Sequence, residues 1–203
     1  GGVFATAKHF PGHGDTDQDS HHTLPTINYS IERMNDIELY PYKKLFKEGL
    51  ASVMVAHLNV PALESRSGYP SSISKSIVTD LLQEKMKFKG LIFTDALNMK
   101  GASNFKSPGE IDLEAFLAGN DILLFPENVP VAIEKFKEAL TSGILTEKRL
   151  QHSVKKILRY KYKAGLNDYQ PIDTEHLVQE LNRTEDEALH YKLMEKALTV
   201  LKN

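Results

Sequence analysis

The chain has 203 residues, 25 Lys+Arg against 27 Asp+Glu, a net charge of −2, 41% hydrophobic residues, and neither Cys nor Trp. That balance excludes a dedicated nucleic-acid binder, which would carry a basic domain or stripe. The lack of cysteine excludes a disulfide framework, a thiolate nucleophile and a Cys-based zinc site. No apolar run approaches the ~20 residues of a transmembrane helix. Residues 1–5, GGVFA, have neither the basic segment nor the long apolar core of a signal peptide, and the compartment stays open.

In chain order, residues 3–7 read as a first buried strand. Residues 31–48 follow as a helical stretch carrying Met34, Ile37, Leu39, Leu45 and Phe46, which Pro41 breaks or restarts. A second strand is expected over residues 52–56, then a helix capped by Ser74 whose buried face holds Ile77, Val78, Leu81 and Leu82. Residues 91–93 and 121–125 complete four short apolar runs of the kind buried on both faces of a parallel sheet. Residues 130–140 place Val131, Ile133, Phe136 and Leu140 at near-helical spacing. Thr146 is expected to cap a long last helix with Leu150, Val154, Ile157 and Leu158 inward.

After Gly165 the character changes: residues 167–173, NDYQPID, read as a linker, and residues 175–203 as helical, with Leu189, Leu193, Ala197 and Val200 on one face. The expected division is therefore 1–165 and 166–203, the latter leading toward a second domain. The alternation of strand and helix implies βαβ units with right-handed crossovers. Polar or turn residues close each strand, Lys8 and His9, His57, Thr94 and Asp95, and Pro126, and carboxyl strand ends are where α/β active sites form, in (β/α)8 barrels above all. A whole barrel takes about 250 residues, whereas four strand–helix units are legible. The expected fold is α/β, a partial (β/α)8 barrel with a C-terminal helical tail; a small open sheet complete in itself is the alternative.

Residues 8–22, KHFPGHGDTDQDSHH, hold four of the eight histidines and three aspartates. Pro11, Gly12 and Gly14 make this segment a loop. Asp15, Asp17 and Asp19 mimic the opening of an EF-hand, but Ser20 and Thr26 stand where that motif needs Gly and Glu, so calcium fails on two defining positions. A zinc or iron site on His9, His13, His21 and His22 would lack the HExxH helix. Acid–base chemistry fits better, since an imidazole titrates near neutral pH and Asp19, two residues from His21, could orient it and raise its basicity; His22 is equally close by spacing. In residues 90–101, GLIFTDALNMKG, Asp95 stands where a barrel puts a functional carboxylate, suited to covalent catalysis or cation stabilisation. The alternative is that Thr94 or Asp95 caps the next helix. His57, in MVAHLNVP, is as compatible with a structural role as with a functional one.

Taken together, KHFPGHGDTDQDSHHTLP, MVAHLNVP and GLIFTDALNMKG resemble glycoside hydrolase family 3, specifically its β-N-acetylglucosaminidase branch. The resemblance spans residues 3–165, the second half of the family's barrel domain, and residues 194–203 resemble the opening of the αβα domain that follows in two-domain members. It implies a retaining exo-β-N-acetylglucosaminidase acting on muropeptide or chitin-type glycosides through a covalent glycosyl-enzyme. Asp95 matches the nucleophile, His21 the acid/base, and Asp19 its dyad partner on a mobile loop. Lys8 and His9 match residues that hydrogen-bond sugar hydroxyls, and His57 and Met99 match positions lining the pocket. No cofactor or metal is implied. The implied partners are a small carbohydrate and the remainder of the protein's own barrel. Still open are a β-glucosidase or phosphorylase of the same family, a non-catalytic carbohydrate-binding relative, and a metal-dependent barrel hydrolase.

Overall fold

Four parallel strands lie side by side in the order in which the chain makes them: β1 (Thr6–Phe10), β2 (Ser52–Val55), β3 (Leu91–Ala96) and β4 (Ile122–Leu124). The structure, a computed structural model, describes residues 3–20, 22–199 and 202. Helices fill every crossover: α1 (Ile31–Asp36) and α2 (Tyr40–Lys47) between β1 and β2, a π-helix (Ser76–Lys85) between β2 and β3, and α3 (Lys100–Ser103) and α4 (Glu110–Ala118) between β3 and β4. Two further helices follow, α5 (Val129–Thr141) and α6 (Glu147–Lys163). Consecutive neighbours, all parallel and joined by helices, are the arrangement of one arc of a TIM-type barrel. The fold class expected from the sequence is therefore the observed one.

The principal core lies between the sheet and its crossover helices, where Val53, Val55 and Ile92 meet Met34, Leu39, Ile77 and Leu82. Pro41 separates α1 from α2 and begins the second of them, where its missing N–H costs nothing. The Ser74 hydroxyl accepts from the Ile77 N–H at 3.3 Å, and the four predicted residues Ile77, Val78, Leu81 and Leu82 are all buried.

Three expectations need correction. The first strand begins later than residues 3–7 and runs on to Phe10, because pairing of Thr6 with Ser52, Ala7 with Val53 and Phe10 with Val55 sets its register. Lys8 and His9 thus lie on the strand, and Val3 and Phe4 are exposed. In α5 the buried residues are Ala132 and Ala139, while Val131 and Ile133 face outward. In α6, Leu150 packs against the core as expected, but Val154 and Leu158 are 45% and 58% exposed, and Arg149, Ser153 and Lys156 share the inward side. The cause is the buried carboxylate of Asp121: it accepts from the Ile92 N–H at 3.0 Å, from Ser153 Oγ at 2.6 Å and from Lys156 Nζ at 2.6 Å. A buried charge needs such partners, and meeting that need brings Ser153 and Lys156 inward beside Leu150.

The chain divides into two compact units, Gly1–Leu166 and Asn167–Asn203. The second holds α7 (Leu177–Leu181) and α8 (Thr184–Ala197), so the helical stretch expected over residues 175–203 is interrupted at Asn182. Leu189 and Leu193 are exposed, and Val200 lies outside the described residues. No helix among the described residues is long and apolar enough to cross a membrane.

Candidate active site

Asp95 sits on the last turn of the ladder in β3, with its side chain 13% exposed. The strand is longer than residues 91–93 because Thr94 and Ala96 both continue it: Thr94 Oγ1 accepts from the Leu124 N–H at 2.9 Å where the register with β4 shifts. Neither Thr94 nor Asp95 caps the following helix, whose N-cap is Met99 with no side-chain bond. Asp95 Oδ1 accepts from the Ala96 N–H at 2.8 Å, and Oδ2 stands 3.6 Å from His9 Nε2 on β1. One carboxylate oxygen is thereby anchored to backbone and the other is turned toward a histidine two strands away.

The histidine-rich loop leaves β1 through Pro11 and Gly12. Gly12 has φ 144°, and a Cβ there would fall 2.6 Å from Glu38 Cβ and Cγ, so only glycine fits. Asp15 is tied to the crossover helix: it accepts from Tyr29 Oη at 2.8 Å and from Arg33 Nη2 at 2.7 Å. These two donors hold its carboxyl below the usual carboxylate range. Arg33 reaches at the same time to the buried Glu38 and lies over the Tyr29 ring at 3.9 Å. His13 Nε2 lies 3.3 Å from Ser20 Oγ. The Asp19 carbonyl accepts from the N–H groups of His22 and Thr23, both at 3.1 Å. His21 itself lies outside the described residues. Lys8, Asp19 and His22 are exposed. Among the described residues, no three His, Cys, Asp or Glu side chains converge to hold a metal ion.

The loop and the Asp95 segment meet at Gly101. A Cβ on that residue would lie 2.9 Å from the Thr23 carbonyl oxygen and 3.1 Å from that of Ser20. Loop backbone thus occupies the space a side chain would need in the first turn after the Asp95 strand.

His57 and Met99 both sit in the interior at the strand ends. His57 is 0% exposed. Its Nδ1 lies 2.7 Å from Ser72 Oγ and its Nε2 3.0 Å from the Ala96 carbonyl, so both ring nitrogens are engaged beneath the strand ends. Burial pushes its pKa down, only partly opposed by the Ala96 carbonyl and by Asp95. Met99 is likewise buried, its backbone N–H bonded to the same Ala96 carbonyl at 3.0 Å. A groove of about 970 Å³ runs along the open edge of β1, beside Lys8, His9, His13 and Asp15 and against Arg33 and Glu38.

Sequence reasoning did not pick out Gly101, Ser72 or the Tyr29–Arg33–Glu38 anchor. Gly101 at least closes a singled-out motif. Ser72 and Arg33 carry no local pattern, since His57 lies 15 residues from Ser72 and Asp15 lies 18 from Arg33.

Residues 1–160 match the family model described as Glycosyl hydrolase family 3 N terminal domain. The β-hexosaminidase A of Pseudoalteromonas piscicida is 33% identical over 181 residues, covering 80% of this chain and 30% of that protein. The structure of a glycoside hydrolase family 3 β-N-acetylglucosaminidase from Paenibacillus sp. superposes with a TM-score of 0.91 at 33% identity, covering all of this chain and 39% of the other. A β-glucoside phosphorylase superposes with the same TM-score at 26% identity, covering 99% of this chain and 38% of the other. The chain spans about a third of the length of the curated relatives it matches.

Proposed function

The chain belongs to glycosyl hydrolase family 3, and from that membership we propose that it supplies the acid/base loop and nucleophile strand of a retaining exo-β-N-acetylglucosaminidase. In this reading residues 1–165 are the second half of the catalytic barrel and residues 166–203 lead toward a further domain. The remaining strands would complete the barrel against the open edges of β1 and β4, with the groove beside β1 facing them.

The observation that carries the reading is that the Asp95 segment meets both His9 on β1 and the histidine loop that follows it. Asp95 Oδ2 points toward His9 at 3.6 Å, and the loop bearing Asp19 and His21 rests on Gly101 in the same segment. Retaining hydrolysis needs a nucleophile and a separate proton donor that later acts as base. Asp95 Oδ2 attacks the anomeric carbon while His21 delivers its proton to the departing glycosidic oxygen, leaving a glycosyl ester on Asp95. The now neutral His21 then takes a proton from water, whose oxygen displaces Asp95 and restores the carboxylate. Asp19 orients the imidazole through the cycle. Lys8 and His9 bind sugar hydroxyls from β1. The natural substrates in this account are terminal β-N-acetylglucosaminides of muropeptide or chitin type, and neither metal nor cofactor takes part.

The test is hydrolysis of nitrophenyl β-N-acetylglucosaminide against nitrophenyl β-glucoside by the full-length protein. A strong preference for the acetamido sugar supports the assignment; preference for the glucoside overturns the branch, and inactivity on both favours a carbohydrate-binding relative. A second reading, phosphorolysis, is favoured by the similarity to a β-glucoside phosphorylase and by a histidine acid, which repels incoming phosphate less than a carboxylate would. Sugar 1-phosphate formed when inorganic phosphate is added would identify it.

A further inference from the structure

Beneath Asp95 lies a buried polar chain that the proposed reaction does not use. The Ala96 carbonyl can only accept hydrogen bonds, so His57 Nε2, 3.0 Å away, carries the proton. Full burial keeps the ring neutral, which leaves Nδ1 as an acceptor for the Ser72 hydroxyl at 2.7 Å. Ser72 is itself fully buried, and its carbonyl is held by Asn120 Nδ2 at 2.8 Å. Asn120 is pinned in turn by a bond from Nδ2 to the Ala115 carbonyl at 2.6 Å. The chain thus runs from the end of α4 through Ser72 and His57 to Ala96, the residue whose N–H holds Asp95 Oδ1 at 2.8 Å.

We infer that His57, oriented by Ser72, is a positioning residue that sets the direction of the Asp95 carboxylate through the Ala96 backbone. It neither contacts the sugar nor transfers a proton. The inference rests on the reading of Asp95 as nucleophile. Three features support it. Both ring nitrogens are committed within the protein, so neither is left for a hydroxyl. The ring is walled off from solvent, which rules out ordinary proton exchange with substrate. And the Ala96 carbonyl receives two donors, His57 Nε2 and the Met99 N–H, fixing from two directions the Ala96–Leu97 peptide, and through it the residue whose N–H holds Asp95. An in-line attack depends steeply on such aim, a misplacement of ~1 Å costing as much as ~100-fold.

The experiment compares kcat and KM of full-length wild type, His57→Gln, His57→Leu, Ser72→Ala and Asp95→Asn on nitrophenyl β-N-acetylglucosaminide, per folded molecule. Glutamine can place an amide N–H near the position of Nε2, whereas leucine keeps the bulk and loses the donor. The expected result is that His57→Leu lowers kcat about 10- to 100-fold with KM nearly unchanged. His57→Gln should recover most of that loss, and Ser72→Ala should fall between them. Should His57→Leu fail to fold, the glutamine and Ser72→Ala variants still decide. A raised KM at unchanged kcat would make His57 a sugar ligand, and equal losses in Gln and Leu would make it mere filling; either overturns the inference. If Asp95→Asn keeps turnover, the nucleophile reading fails and takes this one with it. A dead Asp95→Asn beside fully active His57 and Ser72 variants overturns the positioning role alone.

Discussion

Gly101 and Thr23 face each other across the two segments to which the chemistry is here assigned: a Cβ on Gly101 would lie 2.9 Å from the Thr23 carbonyl oxygen. Backbone cannot swing aside as a flexible side-chain tip can. Gly101→Ala should therefore push the histidine loop off its seat. The expected outcome is a loss of roughly tenfold or more in kcat/KM, with a stability loss of ~1–3 kcal/mol typical of overpacking. Steady-state kinetics beside a thermal melt checks both, and unchanged kinetics would mean the loop works without this contact.

The role proposed for His21 makes a prediction about leaving groups. A proton donor matters most where the departing oxygen is a poor leaving group. His21→Ala should slow natural-type glycosides by ~10²–10⁴ and activated nitrophenyl glycosides far less. Equal losses on the two substrate types would reject the acid/base assignment.

The polar face of α6 makes a stability prediction. Asp121→Ala would strand the Lys156 ammonium, whose side chain is only 13% exposed, and leave the Ile92 N–H without its partner. Breaking a buried pair on one side costs ~3–5 kcal/mol. Urea unfolding should show that loss, and a change below about 1 kcal/mol would contradict the account of why α6 turns its charged stripe inward.

Glu64 sets an acid limb. Hydrogen bonds from Arg66, joined by one from Ser74, hold its pKa down to about 2 despite burial, against an ordinary 4.5. A carboxylate depressed in the folded state contributes stability that is fully present above its unfolded pKa and is lost as pH falls through the folded one. Stability should accordingly decline between about pH 4.5 and about pH 2, and Glu64→Gln should flatten that decline. Parallel melts across this range measure it, and identical slopes would show that Glu64 is not the group responsible.

Much of this architecture was legible from the sequence because local rules act locally. Apolar runs marked the strands, Pro41 marked the break between α1 and α2, and Ser74 marked the start of the helix that buries Ile77 and Leu82. Asp95 drew notice by standing just past the apolar residues 91–93, and the structure carries the strand on through it. What escaped was set by partners distant in sequence. The inward side of α6 was only partly legible, because Asp121 draws in Ser153 and Lys156 beside the expected Leu150. β1 runs past the apolar residues 3–7 because β2 dictates register. The bond between His57 and Ser72, fifteen residues apart, was equally out of reach. The anchoring of Asp15 by Tyr29 and Arg33 was hidden for the same reason, since an aspartate beside histidines reads first as a ligand or a base.

The central claim is that Asp95 forms a bond to sugar, and the direct measurement is mass spectrometry of the full-length protein quenched during turnover of a slow, fluorinated β-N-acetylglucosaminide. The account predicts a glycosyl adduct on the peptide covering residues 90–101, carried by Asp95 and absent from Asp95→Asn. An adduct on another residue, or steady turnover of that substrate by Asp95→Asn, would contradict it.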